Sequence, residues 1–272
     1  MVLELARRGH EVVACGRRPD VAVEGAEYEV LDCNDFESLV KAIERFEAVV
    51  HLAAIPSPGK IPDQDLFRIN CQGAFNVYQA CVAAGVRKLV TASSINALGQ
   101  RFGVKPVPVR YFPIDEDHPP LCSDSYSFSK KVTEEIGEFF WHAHGLSSVA
   151  IRIPWVADPI RHRQWIATRH AEDPRLPGLA RDFWTWLDAR DSALVFAQAI
   201  EASVEGFHAV FAVDPANSMR RPSRELAALV YPEVADWREP VEGDEALISS
   251  RRARDLLGWE AVYRFRDVMD EA

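Results

Sequence analysis

The sequence predicts an α/β protein built on a doubly wound parallel sheet, with a smaller irregular lobe after it. Three observations carry this expectation. Through residue 153, apolar strand-like runs alternate with helical stretches at the spacing of βαβ units. One run, Ala48-Val49-Val50-His51-Leu52-Ala53, is almost continuously apolar, as a parallel strand covered on both faces requires. After Pro154 the rhythm loosens, and residues 157–183 are rich in Arg, His and Pro with no clear period.

Each element has its own signal. Residues 2–8 read as a helix with Gly9 placed to stop it. Residues 10–15 and 28–31 read as strands, and 35–46 as a helix with Val40 and Ile43 on one face. The apolar run 48–53 follows. Residues 65–84 form a long helix stopped by Gly85, and 88–93 the next strand. Residues 100–122 are a proline-rich loop. A helix over 126–144 ends at Gly145, and 148–153 is a strand. Further on, 191–202 reads as a helix and 207–213 as a strand. Ser223 is the expected cap of a helix through Tyr231, and Ser249 or Ser250 that of a helix ending before Gly258. The expected division is a parallel-sheet part over 1–154 and a smaller irregular lobe over 155–272, interleaved with the first.

Composition narrows the function. The net charge is −10, from 31 basic and 41 acidic residues, which argues against a nucleic acid or an anionic membrane as partner. Five cysteines, an odd number with no CxxC pair, read as reduced thiols of a cytoplasmic protein. No metal-binding cluster is visible. No apolar run approaches the ~20 residues of a membrane span, and Glu4, Arg7 and Arg8 exclude a signal peptide at the N-terminus.

The chemistry-bearing residues cluster in two motifs. In Tyr126-Ser127-Phe128-Ser129-Lys130, tyrosine and lysine stand four apart on a helix and share a face. An ammonium near a phenol favours the phenolate, so Lys130 is expected to lower the pKa of Tyr126 and fit it for proton transfer. That spacing arises by chance in roughly one of two chains of this length, so a second motif matters. Ser93-Ser94-Ile95-Asn96-Ala97-Leu98-Gly99 follows a strand directly, and the carboxyl ends of strands are where open α/β sheets bind ligands.

In order along the chain, these motifs resemble the extended short-chain dehydrogenase/reductases of the NAD-dependent epimerase/dehydratase family. That family includes sugar-nucleotide epimerases, dehydratases and uronate dehydrogenases. Val50-His51-Leu52-Ala53-Ala54 is similar to its strand end beside the cofactor, and Asn70 through Val77 to its NxxGxxNV helix. Ser93-Ser94 with Gly99 matches its serine segment. Tyr126 and Lys130 match its YxxxK, and Ile151-Arg152-Ile153-Pro154 its strand beside the nicotinamide. Asp188 through Asp191 and Leu256 through Trp259 resemble later landmarks.

The resemblance implies a Rossmann-like fold and a set of roles. Tyr126 is the general acid/base, Lys130 tunes it and holds the nicotinamide ribose, and Ser94 binds the reacting oxygen. Asp32 faces the adenine. Leu52, Ala53 and Ala54 line the dinucleotide, Asn70 fixes the backbone near it, and Ile153 and Pro154 stand beside the nicotinamide. The implied activity is NAD(P)-dependent oxidation or reduction of a secondary alcohol or carbonyl on a sugar-like small molecule. A nucleotide-sugar epimerase and an inactive binding protein are the alternatives. A homodimer through the helices bearing Asn70 and Tyr126 is implied as well, with Phe139, Phe140 and Trp141 as interface or core.

Three departures from the family pattern shape the expectation. The family opens with a strand and a GxxGxxG loop whose backbone meets the pyrophosphate. Here Met1 falls inside the helix after that loop, so first strand and glycine loop are expected to be missing, by a misplaced start, a fragment or a true loss. The acidic residue that favours NAD is replaced by Arg17 and Arg18, which suit a 2′-phosphate and tilt the cofactor, NADP or NAD, toward NADP. Leu98 stands where many nucleotide-sugar members carry tyrosine. Asn96 and Arg161 are candidate substrate contacts, with His162, Arg163 and Arg169 near by and Trp155, Trp165, Trp184 and Trp186 as candidate walls.

Overall fold

The computed structural model describes residues 1–265 and 267. The strands are β1 (Val13–Gly16), β2 (Glu27–Val30), β3 (Ala48–His51), β4 (Lys88–Ser94), β5 (Ser147–Ile153), β6 (Val156–Ala157), β7 (Leu187–Asp188) and β8 (Phe207–Phe211). The helices are α1 (Val2–Arg7), α2 (Phe36–Ile43), α3 (Asp63–Ala84), α4 (Ser125–His144), α5 (Pro159–Arg169), α6 (Pro177–Ala180), α7 (Ala189–Glu201), α8 (Ser223–Val230) and α9 (Arg251–Leu257).

Every paired strand is parallel. The main sheet runs β3-β4-β5-β8, and β1 pairs with β2 in a separate two-stranded piece. A third, short pair joins β6 to β7. The fold is the expected doubly wound α/β type, because successive residues of each central strand face opposite layers. Leu89 points into a core with Leu39, Ile43, Val77, Tyr78 and Phe140 of α2, α3 and α4. Val90 points the other way, against Val195, Phe196 and Ala199 of α7 and Ala253 and Leu257 of α9. A third core, including Ile95, Phe112, Trp184, Phe211 and Tyr231, lies beneath the long loop after β4 and the chain's second half. No helix among the described residues is long and apolar enough to cross a membrane.

Several elements depart from the expectation. β1 begins at Val13 rather than residue 10, because the His10 amide is bonded back to Leu5 O of α1 at 3.1 Å. β3 ends at His51, and the apolar residues after it turn outward, leaving Leu52 47% exposed. On α2 the buried pair is Leu39 and Ile43, with Val40 only half-buried. Helix α5 occupies a stretch with no helical period. Its start is set by Asp158, which accepts from Ile160 N at 2.9 Å, and by Pro159 in the first turn, a position that needs no N–H. Ser223 is not the cap of α8: Pro222 holds that place, and the Ser223 hydroxyl accepts from Asn217 Nδ2 at 2.8 Å instead. Ser250 stands at the start of α9 without a side-chain cap bond.

Candidate active site

The site is built where β4, β5 and α4 converge. Ser94 is the last residue of β4, in extended backbone, and its hydroxyl accepts from Asn96 N at 3.1 Å, capping the 3-10 turn Ile95–Leu98. Asn96 Nδ2 approaches the same oxygen at 3.3 Å. That leaves Asn96 Oδ1 buried with no partner among the described residues. Gly99 closes the turn at φ +90°. A Cβ there would lie 2.3 Å from Leu121 O, so only glycine lets the returning loop cross so closely.

Helix α4 starts at Asp124, whose carboxylate accepts from Ser127 N at 2.8 Å. Its period then places Tyr126, Lys130 and Glu134 on one buried stripe. Burial pushes the Tyr126 phenol above its ordinary pKa, and the neighbouring Ser94 hydroxyl opposes this. The ring is met edge-on by Phe102, centroids 5.7 Å apart. Lys130 Nζ donates to Ala92 O at 2.6 Å and lies 5.9 Å from the Tyr126 ring centroid. Burial pulls its pKa down to about 8, and the Glu134 carboxylate works against that shift. The expected depression of the Tyr126 pKa by Lys130 is therefore corrected. Burial is the largest influence and raises it, the Ser94 hydroxyl is the group that lowers it, and Lys130 Nζ donates to a backbone carbonyl instead.

Asn70, from α3, ties the strand-end stretch to α4. Its Oδ1 accepts from Ile55 N at 2.7 Å, and its Nδ2 donates to Ile55 O at 3.1 Å and to Ser129 Oγ at 3.0 Å. Ser129 in turn donates to Tyr126 O at 2.8 Å. Leu52 and Ala53 are exposed and Ala54 half-buried at the carboxyl end of β3. Ile153 pairs in register with Ser94, and Pro154 behind it is buried.

At the two-stranded piece, Arg17 and Arg18 follow β1, exposed and without a carboxylate at ion-pair distance among the described residues. Tyr28 braces this turn by donating to Arg18 O at 2.8 Å. Asp32 accepts from Asn34 N at 2.9 Å and Asn34 Nδ2 at 2.8 Å. Those bonds, with the charge of Arg17, hold its carboxyl below the usual range.

Other candidates are not gathered with these. Arg161 is 81% exposed and faces Asp158 at 3.6 Å. Trp184 and Trp186 are fully buried packing residues. Trp155 and Trp165 meet at 4.0 Å and both flank the Arg169 guanidinium. The sequence reading missed Glu134. It accepts from Ser93 Oγ at 2.7 Å and from Arg152 Nε and Nη2 at 2.8 Å each. Its signal was the continuation of the same spacing, four residues beyond Lys130.

The chain is similar to known proteins in sequence and in fold. A family model described as NAD dependent epimerase/dehydratase family matches residues 1–212. The L-arabinose 1-dehydrogenase (NAD(P)(+)) of Haloferax volcanii is 30% identical over 66% of this chain and 70% of its own. The NAD-dependent glucose-6-phosphate dehydrogenase of the same organism is 32% identical over 50% of this chain, a match spanning about half, 53%, of that protein. Among solved structures, a short-chain dehydrogenase/reductase superfamily protein from Agrobacterium tumefaciens with bound NAD superposes with a TM-score of 0.71. It is 22% identical and matched over 100% of this chain and 91% of that one. The chain belongs to the NAD dependent epimerase/dehydratase family, a class of oxidoreductase and epimerase enzymes that work with NAD or NADP.

Proposed function

We propose that this protein oxidises or reduces a secondary alcohol or carbonyl of a free sugar or sugar acid, with Ser94, Tyr126 and Lys130 as its catalytic groups. The observation that carries this reading is the buried Ser94–Tyr126 pair at the end of β4, with the unpartnered Asn96 Oδ1 beside it. A buried acceptor without a donor costs free energy that a substrate hydroxyl would recover. The names of the two Haloferax relatives support a sugar as the substrate. Nothing in the geometry draws Arg161 into substrate binding.

The residues fit a dinucleotide. Leu52 and Ala53 offer open apolar surface at the carboxyl end of β3, and the exposed Arg17 and Arg18 suit a 2′-phosphate, so NADP is the preferred form. Asp32 stands ready for the adenosine end, and Asn70, Ala54, Ile153 and Pro154 shape the floor. When bound, the nicotinamide supplies the acceptor or donor of hydride. Tyr126 takes the proton of the alcohol oxygen, or returns it to the carbonyl oxygen. Ser94 donates to that oxygen and fixes its position. Lys130, cationic below about pH 8, holds the ribose side of the site.

Wider features follow the same reading. On this reading residues 1–154 are the dinucleotide part and 155–272 the substrate part, interleaved with the first through β8. Phe75, Phe128 and Phe139, exposed on α3 and α4, support a homodimer packed through these helices. Five free cysteines support a cytoplasmic location.

The test is calorimetric titration of the protein with NAD and NADP, then turnover on aldoses, uronates and UDP-sugars. NADP should bind more tightly, and free reduced dinucleotide should accumulate with a free sugar. Tyr126→Phe should cut turnover by about 10²–10⁴-fold and leave dinucleotide affinity nearly unchanged. Binding of neither dinucleotide sinks the proposal. Epimer formation without free reduced cofactor moves it to an epimerase.

A further inference from the structure

We infer that Arg169 is an anion seat: its guanidinium, buried on the ligand-binding side of the sheet, receives a carboxylate or phosphate carried by the substrate. Two arginines are buried among the described residues, and their surroundings differ. Arg152 donates to both carboxylate oxygens of Glu134, at 2.8 Å each. Arg169 is 1% exposed and has no carboxylate at ion-pair distance among the described residues. Its guanidinium makes a single hydrogen bond there, from Nε to Ser218 Oγ at 3.1 Å, which leaves the Nη1 and Nη2 groups without an acceptor. Two indoles flank it instead. The Trp155 and Trp165 ring centroids are 4.0 Å apart, and each lies 5.1 Å from the guanidinium carbon. Both rings therefore crowd the same side of the cation and leave the opposite side to another group. An aromatic face attracts a cation, but it does not replace the acceptors that the N–H groups lose on burial. Burial pulls the Arg169 pKa down to about 10, with Glu172 opposing the shift and Arg101 adding to it, so the group stays cationic at pH 7. A buried planar cation with free N–H groups is built to recognise an oxyanion.

Its place in the fold says whose anion it takes. Trp155 lies two residues past the end of β5, where Ile153 pairs with Ser94. Open α/β sheets bind ligands beyond the carboxyl ends of their strands, and Arg169 packs against Trp155 on that side. A second connection runs through the loop after β4. Arg101 is close enough for its charge to weigh on Arg169, and its guanidinium lies 5.4 Å from the Phe102 ring. Phe102 in turn meets Tyr126 edge-on at 5.7 Å. Arg101 is itself occupied, since it pairs with Asp182 and donates to Gly178 O at 3.0 Å. Trp165 is 44% exposed, so the Arg169 guanidinium lies one side chain below the surface. Arg169 thus stands past Phe102, beyond the reacting groups rather than among them. It is placed for the far end of a substrate whose alcohol meets Tyr126. Here the inference rests on the proposed function, and it narrows the substrate to a sugar that carries an acid group.

The test is equilibrium binding, which needs no turnover. The protein, alone and saturated with NADP, is titrated calorimetrically with D-glucuronate, D-glucose 6-phosphate and neutral D-glucose. One of the two acids should bind about 10- to 100-fold more tightly than glucose, the range expected of hydrogen bonds between charged groups. Tighter binding of the glucuronate assigns the seat to a carboxylate, and tighter binding of the sugar phosphate assigns it to a phosphate ester. Arg169→Met should abolish the preference. Should that variant fail to fold, the Nε–H resonance of Arg169 in the unaltered protein decides, recognised by its contacts to the Trp155 and Trp165 rings. It should move on titration with the acid and stay in place with glucose. Equal affinity for the acids and glucose, or an acid preference that survives in folded Arg169→Met, overturns the inference. Failure of both NAD and NADP to bind overturns the proposed function instead, while acid binding to the free protein still decides the role of Arg169.

Discussion

Asp214 is buried with no cation paired to it among the described residues. Its carboxylate accepts from Ala216 N at 2.8 Å and Phe265 N at 2.7 Å, and so pins the segment after Trp259. Burial nevertheless pushes its pKa up to about 7. The folded state then holds a proton that the unfolded chain releases near pH 4, so this group's contribution to stability falls as pH rises from about 4 to about 7 and is level above. In Asp214→Asn that part of the slope is gone. The melting temperature of the unaltered protein should drop more between pH 5 and pH 8 than that of the variant, and equal slopes would refute the assignment.

At this scale the sequence was legible where spacing alone places side chains. Ser94 at a strand end, Tyr126 and Lys130 one turn apart, and Asn70 on the preceding helix are brought together. It was illegible where burial sets the chemistry. The sign of the Tyr126 shift and the partner of Lys130 depend on desolvation and on a carbonyl of a neighbouring strand. The partners of Glu134 come from two strands, 41 and 18 residues away.

Among the elements, the contact between α4 and its neighbours turns on Gly137. A Cβ there would meet the Phe207 ring at 2.6 Å and the Tyr78 hydroxyl at 2.7 Å. Tyr78 is fully buried and braced toward Ser148 at 3.3 Å, so it has little room to yield. Gly137→Ala gains about 1 kcal/mol of helix propensity, but overpacking of this kind costs about 1–3 kcal/mol. We expect net destabilisation, seen as a lower urea midpoint with an unchanged slope. A raised midpoint would show that the two aromatic neighbours move aside. Helices closed by glycine were easy to bound from sequence, as at Gly85 and Gly145. α5 was not, because its residues are polar and only Ile166 and Arg169 are buried, so no apolar period marks it.

Across the whole molecule, the alternation of strand and helix announced a doubly wound sheet, and β8 shows the second half of the chain supplying one of its strands. Sequence did not reveal how unevenly the sheet is held. β4 and β5 pair on both sides and are mostly buried. Among the described residues β1 and β2 pair only with each other, four residues apiece, none fully buried. Amide hydrogen exchange should therefore release β1 and β2 through a much smaller opening than β4 and β5. Uniform protection across these four strands would contradict this.

On the proposed function, the division of the sheet also makes ligand binding a matter of cooperativity. Arg17, Arg18 and Asp32 belong to the small piece, while Leu52, Ser94 and Lys130 belong to the large one. A molecule long enough to touch both would act as a splint. It would repay the ordering of the weaker piece out of its own affinity, and in return would raise that piece toward the melting temperature of the rest. Two separate unfolding steps in the free protein would then fuse into one in the complex.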